Sequence, residues 1–313
     1  MNRSVLTSLL LFVILLPLTA TAQRNHRLDA FKHIEVLADD SFEGRRAGST
    51  GGHAAAGYIV KHLAEFGLTP AGEESYFQPF NKKYENCRNI LAILPGKHPK
   101  LNEEIVAIGA HYDHVGYGQG KNRGPVHNGA DDNASGTATV LELARYFSKP
   151  RNRPERSLMF CFWDSEEQGL IGSKYWVEQP TVELSKIVFK VNIDMIGRLE
   201  GETLEVQGHR SGNGIKEPLN AANAKLGIDI DYVFNMPANS DHWPFINKGI
   251  PGFMFHTGLH PEYHKPGDDS ETIDVEGLEQ VGQLARNFIT FLATTKSPPT
   301  FRKESLSEKP PAK

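Results

Sequence analysis

The sequence predicts an α/β protein in which helices cover both faces of a largely parallel β-sheet. Three observations lead to this fold class. Short apolar runs, typical of buried strands, alternate with segments whose apolar residues recur at helical spacing. Such alternation is typical of a parallel sheet whose two faces are both covered. No internal repeat or linker divides the chain, which favours one folded body.

The elements can be assigned in order from residue 28. Residues 28–66 predict helices interrupted by the glycine-rich loop GRRAGSTGG, and Gly67 predicts the end of the second helix. The runs NILAIL and EIVAIGA then predict two strands, and a long polar loop follows from Tyr112 to Asn128. Asn133 is a typical N-cap and predicts that the helix NASGTATVLELARYF begins there.

Strands and helices continue to alternate in the second half of the chain. The order is strand RSLMFCFW, helix GLIGSKYWVEQ, strand KIVFKVNI, an unassigned segment up to Asn239, helix DHWPFINKG, strand GFMFH and a last helix near Val275 to Ala293. Residues 297–313 are proline-rich and charged, which predicts a disordered tail. Residues 23–296 are therefore expected to form a single domain.

Composition limits the classes of function. With 313 residues the chain is long enough to bury a substantial core, and its formal net charge of −4 is small. A nucleic-acid partner or an acidic membrane surface would require a basic chain, so neither is expected. The two cysteines, Cys87 and Cys161, lie far apart in apolar surroundings, which favours two buried thiols over one disulfide.

The first residues indicate export. Arg3 precedes an apolar run from Val5 to Leu18, and the small residues 20–22 are typical of a signal-peptidase site. Residues 1–22 are therefore predicted to be a signal peptide, and the protein is expected in the periplasm or outside a bacterial cell. The alternative is an uncleaved membrane anchor, although the run is shorter than the ~20 residues that span a bilayer.

Residues that can bind metals cluster near the ends of the predicted strands. In an open α/β sheet, ligands bind outside the carboxyl ends of the strands, so the residues just after each strand are candidates. Together with two aspartates that precede a helix, the candidates are His111, Asp113, His114, Asp131, Asp132, Asp164, Glu166, Glu167, Asp194, His260 and His264. Carboxylates crowded at one edge would repel one another unless they are protonated or bind cations.

The mixture of imidazoles and carboxylates limits the choice of cation. Oxygen ligands alone would suit calcium or magnesium, whereas histidine with aspartate and glutamate suits zinc, with cobalt or manganese as substitutes. Five or more candidate ligands favour two metals that share a bridging carboxylate. Two such ions can activate a water that hydrolyses a carbonyl compound, and a glutamate beside a ligand can act as the base. Glu166 and Glu167 are neighbours of this kind.

Each feature also has a less specific interpretation. A single Asp113 or His114 is more often a polar loop residue, and adjacent glutamates often begin a helix, where the helix dipole favours them. The segment GYGQG lacks the Lys-Ser/Thr ending of a phosphate loop. Ser240, Asp241 and His242 have the residue types of a serine triad, but three neighbours in sequence cannot adopt its geometry, and no G-x-S-x-G elbow occurs.

Seven blocks between Leu37 and Phe291 resemble the M28 zinc metallopeptidases, the co-catalytic aminopeptidase group. The blocks are FEGRRAGSTGG, GAHYDHVG, NGADDNASG, FWDSEEQGLIGS, NIDMIG, SDHWPFINKGIPG and YHKPGDD, and they occur in the order of the family. The resemblance implies a three-layer αβα sandwich around a mixed, mostly parallel sheet of about eight strands, the zinc-dependent exopeptidase fold. It also implies removal of N-terminal residues from peptides.

The resemblance also implies a ligand set. It predicts that His111 and Asp194 bind one zinc, that Glu167 and His264 bind the other, and that Asp132 bridges the two. Two Zn²⁺ ions, with Co²⁺ or Mn²⁺ as substitutes, are thus the implied cofactors. Peptide substrates are the implied partners, and no oligomeric state is implied.

Further matched residues receive roles around these ligands. Glu166 has the position of the general base, and Asp131 is the non-bridging neighbour of the bridging aspartate. Asp113 is implied to orient the imidazole of His111, a support that metal-bound histidines usually have. Tyr263 matches a tyrosine that donates a hydrogen bond to the tetrahedral intermediate in some members of the family.

Three alternative functions stay open on the sequence. A dipeptidase or carboxypeptidase of the same family would act on other peptide ends, and no residue identifies the group that holds a free amine or carboxylate. Glutaminyl cyclases are similar in fold but use one zinc, differ at the GADDNASG loop and, in animals, carry Trp where this chain has Tyr263. A binding module that has lost its metals would lack ligands that are all present here. The side-chain preference is expected to lie in residues 198–206 and 235–239.

Overall fold

The computed structural model describes residues 29–117, 124–200 and 203–308, so the predicted signal peptide lies outside the described residues. The strands are β1 (Thr69–Pro70), β2 (Phe77–Phe80), β3 (Cys87–Leu94), β4 (Ile105–His111), β5 (Gly116–Tyr117), β6 (Val126–His127), β7 (Ser157–Trp163), β8 (Ile187–Ile193), β9 (Leu204–Gln207), β10 (Gly212–Asn213), β11 (Ile230–Asp231), β12 (Gly252–His256) and β13 (Thr300–Phe301). The α-helices are α1 (Phe31–Leu37), α2 (Thr50–Glu65), α3 (Gly136–Ser148), α4 (Ile171–Glu178), α5 (Lys216–Asn223), α6 (Trp243–Asn247) and α7 (Val275–Thr294).

In the part of the chain that the structure describes, nine strands form one mixed sheet. Their order is β1-β3-β7-β4-β8-β12-β9-β11, and β2 pairs with β3 outside this path. The four central strands, β7, β4, β8 and β12, run parallel, and β3 and β9 flank them in the antiparallel direction. The predicted mixed sheet is therefore confirmed, with its parallel part at the centre.

Apolar side chains alternate between two cores because successive residues of a strand point to opposite faces. In β7, Phe160 and Phe162 belong to the larger core, whereas Cys161 and Trp163 belong to the smaller one. The larger core contains residues of α1, α2, α3, α5 and α7, and the smaller contains residues of α4 and α6. Helices therefore cover both faces of the sheet, which explains why the central strands are apolar at nearly every position.

The predicted glycine-rich loop is shorter than expected because α2 already begins at Thr50. Ser49 caps this helix, and its Oγ accepts the N–H of Gly52 at 3.1 Å. A Cβ on Gly51 would lie only 1.9 Å from the Phe42 carbonyl oxygen, so the close approach of the two backbones requires glycine. The helix ends at Glu65, and Gly67, the predicted stop, follows two residues later with a φ of +73°.

Two segments that were predicted to be irregular contain strands. Within the predicted loop 112–128, β5 and β6 pair antiparallel, and residues 118–123 lie outside the described residues. The predicted disordered tail is wrong for residues 300–306, because β13 pairs with β10 and the Arg302 N–H donates to the Ser211 carbonyl at 2.7 Å. Main-chain hydrogen bonds to a folded neighbour thus outweigh the polar composition of this segment. Residues 309–313 are not described.

Cys87 and Cys161 are both buried free thiols, as predicted. Burial raises the pKa of Cys87 to about 11 and that of Cys161 to about 12. Neither thiol therefore ionises near neutral pH. Among the described helices, none combines the length and apolarity that a bilayer crossing requires.

Candidate metal centre

The carboxyl ends of the central strands bring the candidate ligands together. His111 is the last residue of β4, and Asp194 directly follows β8, the parallel neighbour of β4. Glu166 and Glu167 follow β7, which pairs with β4 on its other side. Parallel neighbours end at the same edge of the sheet, so the strand order alone places these side chains close together.

A π-helical turn, Ala130–Ser135, carries the two adjacent aspartates and precedes α3. Asn133 attaches this turn to the end of β8: its Nδ2 donates to the Ile193 carbonyl at 3.1 Å, and its Oδ1 accepts the Met195 N–H at 3.2 Å. The same Oδ1 accepts the N–H of Gly136 at 2.9 Å. Asn133 thus satisfies an N–H at the start of the helix, although α3 begins at Gly136 and not at Asn133.

The carboxylate of Asp268 also holds this turn in place. Its Oδ1 accepts the N–H of Asp131 and its Oδ2 accepts the N–H of Asp132, both at 3.0 Å. The Asp268 carbonyl accepts a third N–H, from Ala130, at 2.9 Å. Burial, together with the charge of Asp131, raises the pKa of Asp268. Asp268 lies in the block YHKPGDD, but the sequence predicted no role for it.

Arg45 is a buried cation that joins the end of α1 to two loops around the metal centre. Its Nε donates to the Tyr112 carbonyl at 2.9 Å, and its Nη1 donates to the Leu37 carbonyl at 2.7 Å and the Asn128 carbonyl at 2.5 Å. Its Nη2 donates to the Gly129 carbonyl at 2.8 Å. Burial lowers the pKa of Arg45 to about 10, although the charges of the nearby carboxylates act in the opposite direction. Sequence analysis predicted only a loop at this position.

Two groups of ligand atoms meet at one carboxylate. The groups are His111, Asp132 and Asp194, and His114, Asp132, Glu167 and His264, with the ligand atoms of each group within 4.8 Å of one another. In the first group, His111 Nε2 lies 3.2 Å from Asp194 Oδ1 and 3.4 Å from Asp132 Oδ1. The structure therefore places the five predicted ligands together, with Asp132 common to both groups.

The contacts of His264 show atoms that converge on a common point. Its Nε2 lies 3.0 Å from Asp132 Oδ2 and 2.9 Å from Glu167 Oε2. Nevertheless, among the described residues neither His264 Nε2 nor Asp132 Oδ2 has a hydrogen-bond partner of good geometry. Ligands about 2.0–2.1 Å from a tetrahedral zinc ion are about 3.3 Å apart, so the spacing and the donor types both fit zinc.

Asp132 is ionised in this environment. Burial alone would raise its pKa, but the imidazoles of His111 and His264 outweigh burial and lower it well below its ordinary value. An ionised carboxylate that is common to both groups can contribute a ligand atom to a cation in either one.

His114 joins the second group, although the resemblance predicted no role for it. It is fully buried, and its Nδ1 lies 2.8 Å from Glu167 Oε1 and 3.7 Å from Asp132 Oδ2. Its own N–H donates to the Arg45 carbonyl at 3.2 Å. The pattern HYDH after β4 contained this signal, because a second imidazole followed the first at the same strand end.

Glu166 lies beside the ligands but belongs to neither group. Its Oε2 is 4.0 Å from His111 Nε2, and its N–H donates to Asp113 Oδ1 at 3.0 Å. Burial raises the pKa of Glu166 well above its ordinary value, and nearby carboxylates raise it further against the charge of His111. A bound cation would offset these charges and favour the ionised form that a general base requires.

Asp113 supports the centre in a different way from the one predicted. His111 Nδ1 lies 3.1 Å from the main-chain carbonyl of Asp113, whereas the Asp113 carboxylate is 3.8 Å away. The carboxylate instead accepts the N–H of Glu166. The main chain of Asp113 therefore orients His111, and its side chain positions Glu166.

Three further candidates lie outside both groups. The carboxylate of Asp164 binds main-chain groups: it accepts the N–H of Arg88 at 2.8 Å and the N–H of Ser165 at 2.9 Å. Asp131 accepts the N–H of Gly197 at 2.6 Å, and its other oxygen lies 3.4 Å from His260 Nε2. Asp131 therefore lies next to Asp132 but joins neither group, and its predicted role stays a prediction.

Tyr263 lines a cavity of about 370 Å³ that opens on the metal centre. Its ring stacks on that of His264, with centroids 3.8 Å apart. Burial raises the pKa of Tyr263, so its hydroxyl keeps its proton and can donate it in a hydrogen bond. Glu205 and Asn239, from the two segments in which the side-chain preference was expected, line the same cavity.

The rival motifs do not form sites in the described residues. Ser240 Oγ donates to Asp194 Oδ2 and accepts from Asn192 Nδ2 at 2.9 Å, so it supports a candidate ligand. Neither ring nitrogen of His242 has a hydrogen-bond partner there, so the serine–histidine contact of a triad is absent. Part of GYGQG lies in residues 118–123, outside the described residues.

The chain is similar to known peptidases over most of its length. Residues 89–289 match the model of peptidase family M28. Aminopeptidase YwaD of Bacillus subtilis is 31% identical over 235 residues, which cover 70% of this chain and 48% of that protein. The chain spans about half the length of the curated relatives it matches.

Solved structures share the fold. The zinc aminopeptidase BSAP from Bacillus subtilis matches with a TM-score of 0.68 at 19% identity, covering 87% of this chain and 97% of that one. Glutaminyl cyclase from Porphyromonas gingivalis matches with a TM-score of 0.71 at 22% identity, covering 84% of this chain and 98% of that one. At these identities the likeness establishes the fold alone. The family match, which extends over residues 89–289, shows that the chain belongs to peptidase family M28.

Proposed function

We propose that the protein is a di-zinc aminopeptidase, which hydrolyses the first peptide bond of a peptide. The observation that carries the proposal is the shared carboxylate of Asp132, where a group containing His111 meets a group containing His264. A single-metal enzyme would need only one of these groups. Membership of family M28 and the aminopeptidases among the relatives support the same activity.

The ligand groups define which residues would hold each ion. His111, Asp194 and Asp132 would hold one zinc, and Glu167, His264 and Asp132 would hold the other, with His114 of the same group beside Glu167. When bound, the ions supply a Lewis acid that polarises the scissile carbonyl and lowers the pKa of a water molecule. Ser240 and the Asp113 carbonyl keep Asp194 and His111 oriented before any substrate arrives.

Glu166 is the residue placed to move a proton. Its carboxylate lines the same cavity as the ligands, and the Asp113 carboxylate holds its main chain. It would take a proton from the attacking water and deliver it to the leaving amine. Tyr263, which also lines the cavity, would donate its hydroxyl proton in a hydrogen bond to the oxygen on which negative charge develops.

The first experiment compares leucine p-nitroanilide with its N-acetylated form, using protein loaded with zinc. An aminopeptidase is expected to hydrolyse the free-amine substrate and to leave the blocked one intact. Cleavage of the blocked substrate alone would contradict the proposal. A dipeptide series and a C-terminally amidated series distinguish a dipeptidase or carboxypeptidase in the same assay.

The second experiment tests the role of Glu166 with Glu166→Gln, which keeps the shape of the side chain but removes the base. We expect two zinc ions per chain, measured by atomic emission, and a fall in kcat of about 10²–10⁴-fold. The exposed Glu217, on α5, provides a matched control as Glu217→Gln, for which kcat should not change. Full activity of Glu166→Gln would disprove the mechanism.

Metal stoichiometry distinguishes the peptidase from a glutaminyl cyclase. One tightly bound zinc per chain, together with ammonia release from an N-terminal glutamine peptide, would favour the cyclase. Two zinc ions per chain without ammonia release favour the aminopeptidase. Both quantities can be measured on the same preparation.

We also propose that the protein is exported after removal of residues 1–22. The support is the apolar run Val5–Leu18 followed by small residues. Expressed from Met1 in a bacterial host, the protein should appear in the periplasm or the medium with Gln23 as its first residue. N-terminal sequencing checks this, and an intact chain retained in the membrane would contradict it.

A further inference from the structure

The cavity beside the metal centre has a second wall that does not hold the candidate ligands. This wall consists of β9 and β12, which pair antiparallel with Met254 opposite Gln207 and His256 opposite Glu205. Side chains alternate along a strand, so Glu205 and Gln207 share one face of β9. Their neighbours in β9 are buried in the larger core. The polar face of β9 therefore lines the cavity that opens on the metal centre.

The carboxylate of Glu205 is oriented but not neutralised. Gln207 Nε2 donates to Glu205 Oε2 at 2.6 Å, and Asn239 Nδ2 donates to Gln207 Oε1 at 3.2 Å. No lysine, arginine or histidine of the described residues forms an ion pair with Glu205, although many of the other carboxylates have such a partner. The half-buried Glu205 thus faces the cavity without an ion-pair partner among the described residues, opposite His256 of β12. A cationic ligand would fit this carboxylate, and an anionic ligand would be repelled.

Three apolar side chains line the same cavity beside polar ones such as His256 and Tyr263. Met195 and Met254 line the cavity, and Leu259 lines it with 71% of its surface exposed. Unbranched thioether side chains adapt their shape to a long aliphatic chain. A lysine or arginine side chain combines such an aliphatic stem with a terminal cation, so it matches both the apolar walls and the carboxylate.

We propose that this cavity receives the side chain of the substrate's N-terminal residue and that Glu205 selects lysine or arginine at that position. The proposal rests on the aminopeptidase function proposed above. The carboxylate of Glu205, oriented by Gln207, contacts the terminal cation of the substrate side chain, while Met195 and Met254 contact its aliphatic stem. Substrates that begin with aspartate or glutamate are disfavoured by repulsion from Glu205.

The test compares lysine with norleucine, which has a similar aliphatic chain but no ammonium group. In wild-type protein, kcat/KM for lysine p-nitroanilide should exceed that for norleucine p-nitroanilide. Glu205→Gln should lower the value for lysine by about 30-fold or more, as expected when one partner of a partly buried charge pair is removed. The value for norleucine should change by less than about twofold, the range of a surface substitution. Glu217→Gln is the matched control and should change neither.

A reversal of the charge tests the same contact in the opposite direction. Glu205→Lys should gain activity toward glutamate p-nitroanilide and lose it toward lysine p-nitroanilide. Bound zinc and the unfolding temperature of each variant identify any that fold poorly. If Glu205→Gln lowers kcat/KM equally for lysine and norleucine, Glu205 contacts the α-amine that both share, and the proposal is wrong. If neither value changes, Glu205 does not contact the substrate, and the proposal is also wrong.

A binding measurement separates this proposal from the proposed activity. Glu166→Gln, loaded with zinc, can be titrated calorimetrically with the dipeptides Lys-Ala and Nle-Ala. Tighter binding of Lys-Ala, lost in the double variant Glu166→Gln/Glu205→Gln, supports the Glu205 contact even if wild-type protein hydrolyses no anilide. Equal affinities for the two dipeptides would overturn the contact, whereas absence of hydrolysis with unequal affinities would overturn only the aminopeptidase function.

Discussion

The metal centre and the Glu142 network both combine buried histidine with buried carboxylate, but only the Glu142 network has a hydrogen-bond partner for each buried polar side-chain atom. The Glu142 network comprises Asp29, His33, Tyr58, Glu142 and Arg145. Arg145 Nε donates to Glu142 Oε1 at 2.7 Å, and the Asp29 N–H donates to Oε2 at 2.9 Å. His33 Nε2 lies 3.4 Å from Glu142 Oε1, and its Nδ1 is hydrogen-bonded to Tyr58 at 2.7 Å.

The metal centre leaves several polar atoms without partners. In the described residues, Asp113 Oδ2, His114 Nε2, Asp132 Oδ2 and His264 Nε2 are buried and form no hydrogen bond, whereas no side-chain atom of the Glu142 network has this deficiency. A buried polar group without a partner costs about 1–3 kcal/mol. The unpartnered atoms of this comparison lie at the strand ends, and none lies in the Glu142 network. We infer that a ligand bound at the strand ends would supply the missing partners.

The pKa values of Glu142 and Glu166 differ in the same way as the hydrogen bonding of the two sites. Burial opposes ionisation of Glu142, but His33 and Arg145 outweigh it and lower the pKa of Glu142 to about 2. Burial raises the pKa of Glu166, and its carboxylate neighbours add to the effect. Glu142, with its complete set of partners, is therefore structural, whereas the carboxylates around Glu166 form a site that a bound cation would stabilise.

The largest expected effect follows from Asp132→Ala, which removes the carboxylate that the two ligand groups share. Bound zinc should fall below one ion per chain. Hydrolysis should fall by more than about 100-fold, because removing a residue that only orients a ligand already costs up to about that much. Without metal, the variant should be less stable than the wild type, because the imidazoles of His111 and His264 lose the carboxylate whose pKa they lower. Metal analysis and urea unfolding in chelator measure these quantities, and a variant that keeps two zinc ions would contradict the shared carboxylate.

The opposite result is expected for Glu142→Ala, which removes the central acceptor of the complete network. The free energy of unfolding should fall by about 2–3 kcal/mol, because His33 and the half-exposed Arg145 lose their buried partner. Zinc content should stay at two ions per chain, and kcat per folded molecule should not change. A larger effect of Glu142→Ala on zinc affinity than on the free energy of unfolding would show that the two sites are coupled.

Asp268→Asn tests a residue that supports the metal centre without binding metal. Its two oxygens accept the N–H groups of Asp131 and Asp132, and an amide can accept only one of these while its NH₂ group faces the other. We expect zinc affinity to fall about 10–100-fold, as for other partners that orient a ligand. Competition with a chelator measures this affinity, and Glu142→Gln is the control, for which it should not change. Unchanged affinity in Asp268→Asn would show that the turn keeps its shape without this carboxylate.

The sequence predicted the fold and the residues at the strand ends because both depend on local patterns. The apolar run of β4 ends at His111, and the run of β8 ends just before Asp194, so parallel pairing was enough to bring the two together. The resemblance to family M28 added the roles. Tyr263 and Glu166 both line the cavity, and the roles that the resemblance implied for them stay predictions.

The sequence did not predict contacts that join distant loops. Arg45 reaches the carbonyls of Tyr112 and Gly129, and no local pattern indicates which carbonyls a buried arginine will meet. The same holds for Asp268 and for β13, whose pairing with β10 depends on the folded surface beside it. The polar face of β9 was missed for a similar reason, since alternation in a four-residue strand is too short to identify.

The smallest expected effect is the pH dependence of the Glu142 contribution. The pKa of Glu142 is about 2 in the folded protein and about 4.5 in the unfolded chain. Because folding lowers this pKa, the contribution is present at neutral pH, begins to shrink as the pH approaches 4.5 and is lost as the pH falls toward 2. Between pH 7 and pH 4 the loss from this one group should be about 1 kcal/mol.

Glu142→Gln isolates this contribution, because it leaves every titrating group of the metal centre in place. The difference in unfolding free energy between wild type and Glu142→Gln should be constant from pH 7 to about pH 5.5 and should shrink below that. Urea unfolding in chelator measures the difference, and the titration of the metal centre cancels between the two proteins. A difference that stays constant down to pH 3 would show that Glu142 is not held ionised by His33 and Arg145. The contrast between a complete network and an incomplete metal centre would then lose its electrostatic basis.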